Sequence, residues 1–131
     1  MKTIGLIACS STKQSGTHCA AELYTSPLFR MSRAWVERNC ADGWYILSAQ
    51  HHLVHPDALV TSYDRTLREM SRAERSAWAS KVALQLDALM PCSFFVLAGQ
   101  LYCQALDDFT FERPLQGLGI GRQLQWLKRH A

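Results

Sequence analysis

Three short apolar runs punctuate the chain, at residues 3–8, 44–47 and 93–98, each free of charge and each ending in small or polar residues. Continuous apolar runs of this length suit strands buried on both faces, as in a parallel sheet covered by helices. Helical spacing fills the gaps. Ser26-Pro27 reads as an N-cap followed by proline at the first helical position, with Phe29, Ser32, Trp35 and Val36 on one face and Asp42-Gly43 as the stop. Ser71-Arg72-Ala73-Glu74 has capping-box spacing, and Trp78, Val82, Leu86 and Leu89 then recur helically until Pro91. A third helix is expected after Gly99, over residues 101–106, and a fourth from Ile120 with Leu124 and Leu127 turned inward. Alternating strands and helices predict a Rossmann-like three-layer α/β sandwich with a short, mostly parallel sheet.

At 131 residues, 48% apolar and 19% charged, the chain reads as one α/β domain over 1–131, able to fold around a core without disulfides or metals. The balance of 14 Lys plus Arg against 11 Asp plus Glu is a net +3, weaker than the basic stripe of a dedicated duplex binder. No run approaches the roughly 20 apolar residues of a membrane span, and residue 2 does not lead into a signal core, so a cytoplasmic protein is expected. Five cysteines without a Cys-x-x-Cys pair read as reduced thiols.

Ligands of open α/β sheets bind outside the carboxyl ends of the strands. Each predicted strand runs into a polar segment there: Cys9-Ser10-Ser11-Thr12-Lys13, Ser48-Ala49-Gln50-His51-His52, and Gly99-Gln100-Leu101-Tyr102. The first offers a thiol, hydroxyls and an ammonium able to hold an anion, although it lacks the glycines of a Walker A loop. Lys13 can neutralise a phosphate or act as an amine nucleophile; Cys9 is either a nucleophile or a small buried residue at a strand end. His51 is a candidate for proton transfer or an exposed loop histidine. His51, His52 and His55 make no recognised ligand pattern, so no metal is expected. Tyr63 and Asp64 read as a turn and helix cap or, functionally, as a stacking or hydrogen-bonding phenol and a carboxylate base; Tyr24 has the same ambiguity. Gly117-x-Gly119-x-Gly121-Arg122 falls short of a dinucleotide fingerprint, so no cofactor is expected; Gly119 and Arg122 can instead favour an anion at a helix start, or form a structural turn.

Taken together, Ile7-Ala8-Cys9-Ser10-x-x-Lys13, Glu22-Leu23-Tyr24-x-Ser26-x-Leu28-Phe29, Ser48-Ala49-x-His51-x-Leu53-Val54-x-Pro56-Asp57, Tyr63-Asp64-x-Thr66-Leu67, Gly99-x-x-Tyr102 and Pro114-Leu115-x-Gly117-Leu118-Gly119-Ile120-Gly121 resemble a family of small bacterial and phage proteins, a domain of unknown function similar to the peroxide-stress protein YaaA. The Cys-Ser-x-x-Lys stretch is also similar, more faintly, to a motif of archaeosine synthases. The sequence departs from the family pattern at His52, where glycine is frequent, and at Ser62, where proline is frequent. The resemblance implies a setting among nucleic-acid modification and phage proteins.

The leading expectation is an enzyme acting on a nucleotide or modified nucleobase by transfer or cleavage at the base. Lys13 and Cys9 would hold phosphate or supply the nucleophile, and His51 or Asp64 would move a proton. Ser10, Ser11, Tyr24, Ser26, Ser48, Tyr63, Gly99, Tyr102, Gly119 and Arg122 would bind substrate. The competing expectation is a noncatalytic DNA- or RNA-binding module using Lys13, Arg30, Arg33, Arg122, Lys128 and Arg129. A chain this short has little room for a lid, so a homo-oligomer that completes the site is also expected.

Overall fold

The computed structural model of the chain describes residues 2–131. In chain order the elements are β1 (Lys2–Ala8), β2 (Thr17–Cys19), α1 (Ala20–Leu23), α2 (Pro27–Asn39), β3 (Trp44–Ser48), β4 (His52–Val54) and β5 (Leu59–Thr61). They continue with α3 (Arg72–Asp87), β6 (Cys92–Leu97), α4 (Gln100–Cys103), β7 (Phe111–Glu112) and α5 (Ile120–Arg129), with 3-10 turns at Leu67–Glu69 and Gln104–Leu106. A five-stranded sheet runs β4-β3-β1-β6-β7. Its four strands β3, β1, β6 and β7 are parallel, and β4 is antiparallel to β3. The small strands β2 and β5 pair antiparallel in a separate ribbon. The fold is the expected α/β sandwich.

The three apolar runs form the three central strands because their residues are needed on both faces. Ile4 and Leu6 of β1, Phe94 and Val96 of β6 and Leu47 of β3 join Trp78, Val82 and Leu86 of α3 in one core. The alternate residues Ile7, Leu97 and Ile46 join Phe29 and Val36 of α2 and Leu127 of α5 in the other. This period of two, repeated on adjacent strands, gives a sheet with helices on each side. On the α2 side Gly5 is enclosed so tightly that an added Cβ would lie 2.7 Å from Val36 Cβ. Only glycine lets this helix approach the strand so closely.

Local signals act where expected. Ser26 accepts from the Phe29 N–H, and Ser71 and Glu74 complete the capping box of α3. Two boundaries differ. Helix α3 ends at Asp87, before Leu89, and the segment expected as one helix over 101–106 is α4 followed by a 3-10 turn. Asp64 caps no helix among the described residues: the turn that follows has Thr66 at its N-cap and no side-chain cap. The post-β3 segment is a tight reversal, because His52 adopts φ 66° and starts β4, which pairs back through Ser48↔His52. No helix among the described residues is long and apolar enough to cross a membrane.

Candidate functional site

The parallel strands β3, β1 and β6 are neighbours, so their three following segments emerge side by side on one edge. From β1 the chain leads through α2 to β3 on one side, whereas β6 leads through α4 toward β7 on the other. Neighbouring strands whose onward connections part in this way open a crevice between them, the usual ligand position of an open α/β sheet. Here that crevice lies beyond the ends of β1 and β6.

Two cavities occupy it. One, of about 210 Å³, lies toward α2 and α5, lined by Cys9, Ser10, Ser26, Ser32, Gly99 and Arg113 among others. The second, of about 330 Å³, lies on the opposite side, lined by Cys9, Ser11, Leu67, Arg68, Leu101 and Tyr102 among others. Cys9 and Gly99, the residues just beyond β1 and two beyond the end of β6, belong to both. They form the wall between the cavities, and Cys9 packs against both hydrophobic cores.

The Cys9 thiol lies 3.2 Å from the Tyr102 hydroxyl. Beside it runs a hydroxyl chain, Ser48 Oγ to Tyr63 at 2.8 Å and Tyr63 to Tyr24 at 2.6 Å, with the His51 backbone N–H donating to Ser48 at 3.0 Å. Ser48 is fully buried, its carbonyl accepting from Trp78 Nε1 at 2.9 Å, so α3 pins the end of β3. Desolvation pushes the Tyr24 hydroxyl up to about 12 and raises those of Tyr63 and Tyr102 further, each with a contribution from the nearby Cys9. All three phenols therefore stay protonated at neutral pH and can donate hydrogen bonds.

Lys13 is brought to the cluster by the chain leaving β1. Its backbone bridges to Tyr24, Thr25 N–H donates to Thr12 O and Gln14 N–H to Leu23 O, so residues 12–14 lie along 23–25. The ammonium sits 4.6 Å from the Tyr63 ring centroid and 5.9 Å from that of Tyr24, a cation–π arrangement that places positive charge on the rim.

Of the residues expected from sequence, the structure gathers Cys9, Ser10, Ser26, Gly99, Ser11 and Tyr102 around the two cavities. It gathers Lys13, Tyr24, Ser48 and Tyr63 into the adjoining cluster. His51 is exposed, its ring edge-on to Tyr63 at 5.2 Å, so it reaches the cluster only from outside. Asp64 is exposed and lines a separate cavity with Gln50, Arg65 and Glu74. Gly119 and Arg122 lie on neither cavity wall; Gly119 is the N-cap of α5 and Arg122 is exposed on that helix. His52, half-buried in the hairpin, has its pKa lowered chiefly by burial.

Arg113 is the wall residue that the sequence left unnoticed. It follows the two-residue strand β7 in a segment without periodicity, and its only signal is its place directly after Phe111–Glu112 and before Pro114.

No curated protein and no solved structure matches the chain. A family model does match, over residues 4–129, nearly the whole length. The chain therefore belongs to the family of unknown function DUF6884.

Proposed function

We propose that this protein is an enzyme acting on a nucleotide or a modified nucleobase, by transfer or cleavage at the base, in the crevice beyond β1 and β6. The observation that carries the reading is the position of Cys9: a thiol on the wall between two cavities, within hydrogen-bonding distance of Tyr102. A group on such a wall can reach the bond that joins two parts of a ligand held on either side. A neutral phenol beside it can donate to a thiolate or to a leaving base. Tyr102, Leu67 and Leu101 supply aromatic and apolar surface for a base, while Lys13 and the hydroxyls of Ser10 and Ser26 suit a polar, anionic part.

In this reading Cys9 is the nucleophile, Tyr102 contacts the base, Lys13 holds negative charge at the rim, and Ser48 with Tyr63 and Tyr24 fixes the hydroxyl network. A nucleobase or nucleic-acid setting is what the resemblance read from the sequence motifs implies, that of Cys9-Ser10-x-x-Lys13 to archaeosine synthases and that of the wider motif set to YaaA-like proteins. Asp64 takes no part, because it faces another cavity.

The test is base release or base exchange from nucleosides, nucleotides and deazaguanine bases, followed chromatographically with wild type, Cys9→Ser and Lys13→Ala. Loss of turnover in folded Cys9→Ser, with weakened binding in Lys13→Ala, is the expected result. Unchanged binding and turnover in both variants would remove the proposal.

The exposed basic residues Arg122, Lys128 and Arg129 on α5, with Arg30 on neighbouring α2, favour a second reading as a noncatalytic DNA- or RNA-binding module. Arg33 does not join them, since it is held by Glu22 at 2.8 Å and Glu37 at 3.4 Å. That reading requires affinity that falls steeply with salt and ignores Cys9.

A further inference from the structure

We infer that the cavity on the α2 and α5 side is an anion subsite centred on Arg113, which takes the phosphate group of the ligand. The inference deepens the proposed function and rests on its reading of the crevice as a nucleotide site.

Arg113 Nη2 donates to the Ala98 carbonyl at 3.1 Å, which fastens the guanidinium to the end of β6. Its Nε is buried and has no hydrogen-bond partner among the described residues. Among the described residues no carboxylate lines this cavity and no ion pair involves Arg113. A guanidinium keeps its charge under all ordinary conditions, and a buried donor without a partner carries a desolvation cost. An oxyanion bound in the cavity removes that cost, because Nε with a free Nη hydrogen forms the fork that grips two oxygens at once.

The rest of the wall is built for the same charge. Ser32 is only 3% exposed, lines the cavity, and its hydroxyl makes no hydrogen bond among the described residues. Ser26 and Ser10 both line the cavity and use their oxygens to accept from the Phe29 and Thr12 N–H groups, leaving each hydroxyl hydrogen to donate. The first turn of α2, an element of 13 residues, contributes Leu28 and Phe29 to the lining and brings the positive end of its peptide dipole, while α5 contributes Gln123. A planar carboxylate would use the Arg113 fork alone. Three hydroxyls, Ser10 after β1 with Ser26 at the cap of α2 and Ser32 within it, fit the additional oxygens of a tetrahedral phosphate, with the remainder of the ligand passing Cys9 toward Tyr102.

The test follows thermal unfolding of the chain in inorganic phosphate and in chloride at matched ionic strength. Phosphate stabilises many proteins by exclusion from their surfaces, so the readout is the difference between wild type and Arg113→Gln at the same concentration. Wild type should show a saturable excess of about 5 °C at roughly ten times its Kd. Arg113→Gln and Ser10→Asp should lose it, Arg113→Lys should keep part, and the surface control Lys128→Ala should keep all. An equal response from wild type and Arg113→Gln, or no saturable response from wild type, overturns the subsite. Should Arg113→Gln fail to fold, Ser10→Asp against wild type decides the matter, since a carboxylate placed in the cavity must exclude the anion. The two proposals fail separately: an Arg113-dependent phosphate response without turnover of any nucleotide keeps the subsite and sinks the enzyme. Turnover of phosphorylated nucleotides whose KM and kcat are the same in wild type and Arg113→Gln keeps the enzyme and sinks the subsite.

Discussion

The stretch from Gly5, midway along β1, to Cys9, just beyond it, has a closed end and an open one, four residues apart. At Gly5 the strand is pressed so closely by Val36 and Cys40 that no side chain fits, and neighbouring Ile4 and Leu6 are buried in the opposite core. At Cys9 the same chain has left the ladder for empty space on both sides, among hydroxyls and cations. Two thiols mark the contrast. Cys40, buried against the closed end, is pushed up to about 11 by desolvation, whereas Cys9 is half-buried beside Tyr102. The difference teaches that tight packing is concentrated midway along the sheet, with polar groups kept at its carboxyl edge, where packing is incomplete.

The contrast can be broken by substitution, and the largest effect belongs at the closed end. Phe94→Ala, opposite Ile4 in the ladder, should cost about 3–5 kcal/mol in urea unfolding, as expected for truncating a fully buried aromatic side chain. Gly5→Ala should cost about 1–3 kcal/mol by overpacking, and Val36→Ala should recover part of it in a double-mutant cycle. If Gly5→Ala were neutral, the closed end would be looser than described.

Effects shrink toward the open end. Tyr63→Phe removes the hydroxyl joining Ser48 to Tyr24 and should cost about 1 kcal/mol. The same hydroxyl network sets an alkaline limit. Tyr24 has a folded pKa raised above its unfolded value of 10.0 to about 12, so its contribution is whole below about pH 10 and is lost as pH rises through 12. Denaturant unfolding across that window, with tyrosinate absorbance alongside, should show stability falling as pH rises. Cys9→Ser should change stability by less than about 0.5 kcal/mol while removing turnover. Alkylation sharpens the same contrast: below about pH 9, Cys40 should label only when the protein unfolds, and Cys9 in the native state.

The central fold was legible because strands buried on both faces must be apolar throughout, and helix starts were legible because Ser26 and Ser71 satisfy free backbone donors. The short strands β2, β4, β5 and β7, of two or three residues, leave no periodicity to read, and the reversal at His52 uses a backbone conformation that nothing in a histidine announces. Residues following long strands could be placed together because the sheet itself aligns them. Asp64 was misplaced for the converse reason: it lies in an irregular stretch whose course depends on tertiary packing, as does Arg113.

Because Cys9 and Gly99 follow hydrogen-bonded neighbouring strands within two residues, the partition between the cavities is held in place by the ladder of β1 and β6, locked over six residue pairs. The two compartments therefore act as a ruler whose zero mark cannot drift. If the proposed function holds, relatives acting on other substrates should differ to either side, in the segments around Leu67, Leu101 and Arg113, and should leave the partition where it is. A designer wishing to retarget the protein has the same freedom and the same constraint: lengthen a compartment, but measure every ligand from the sulfur.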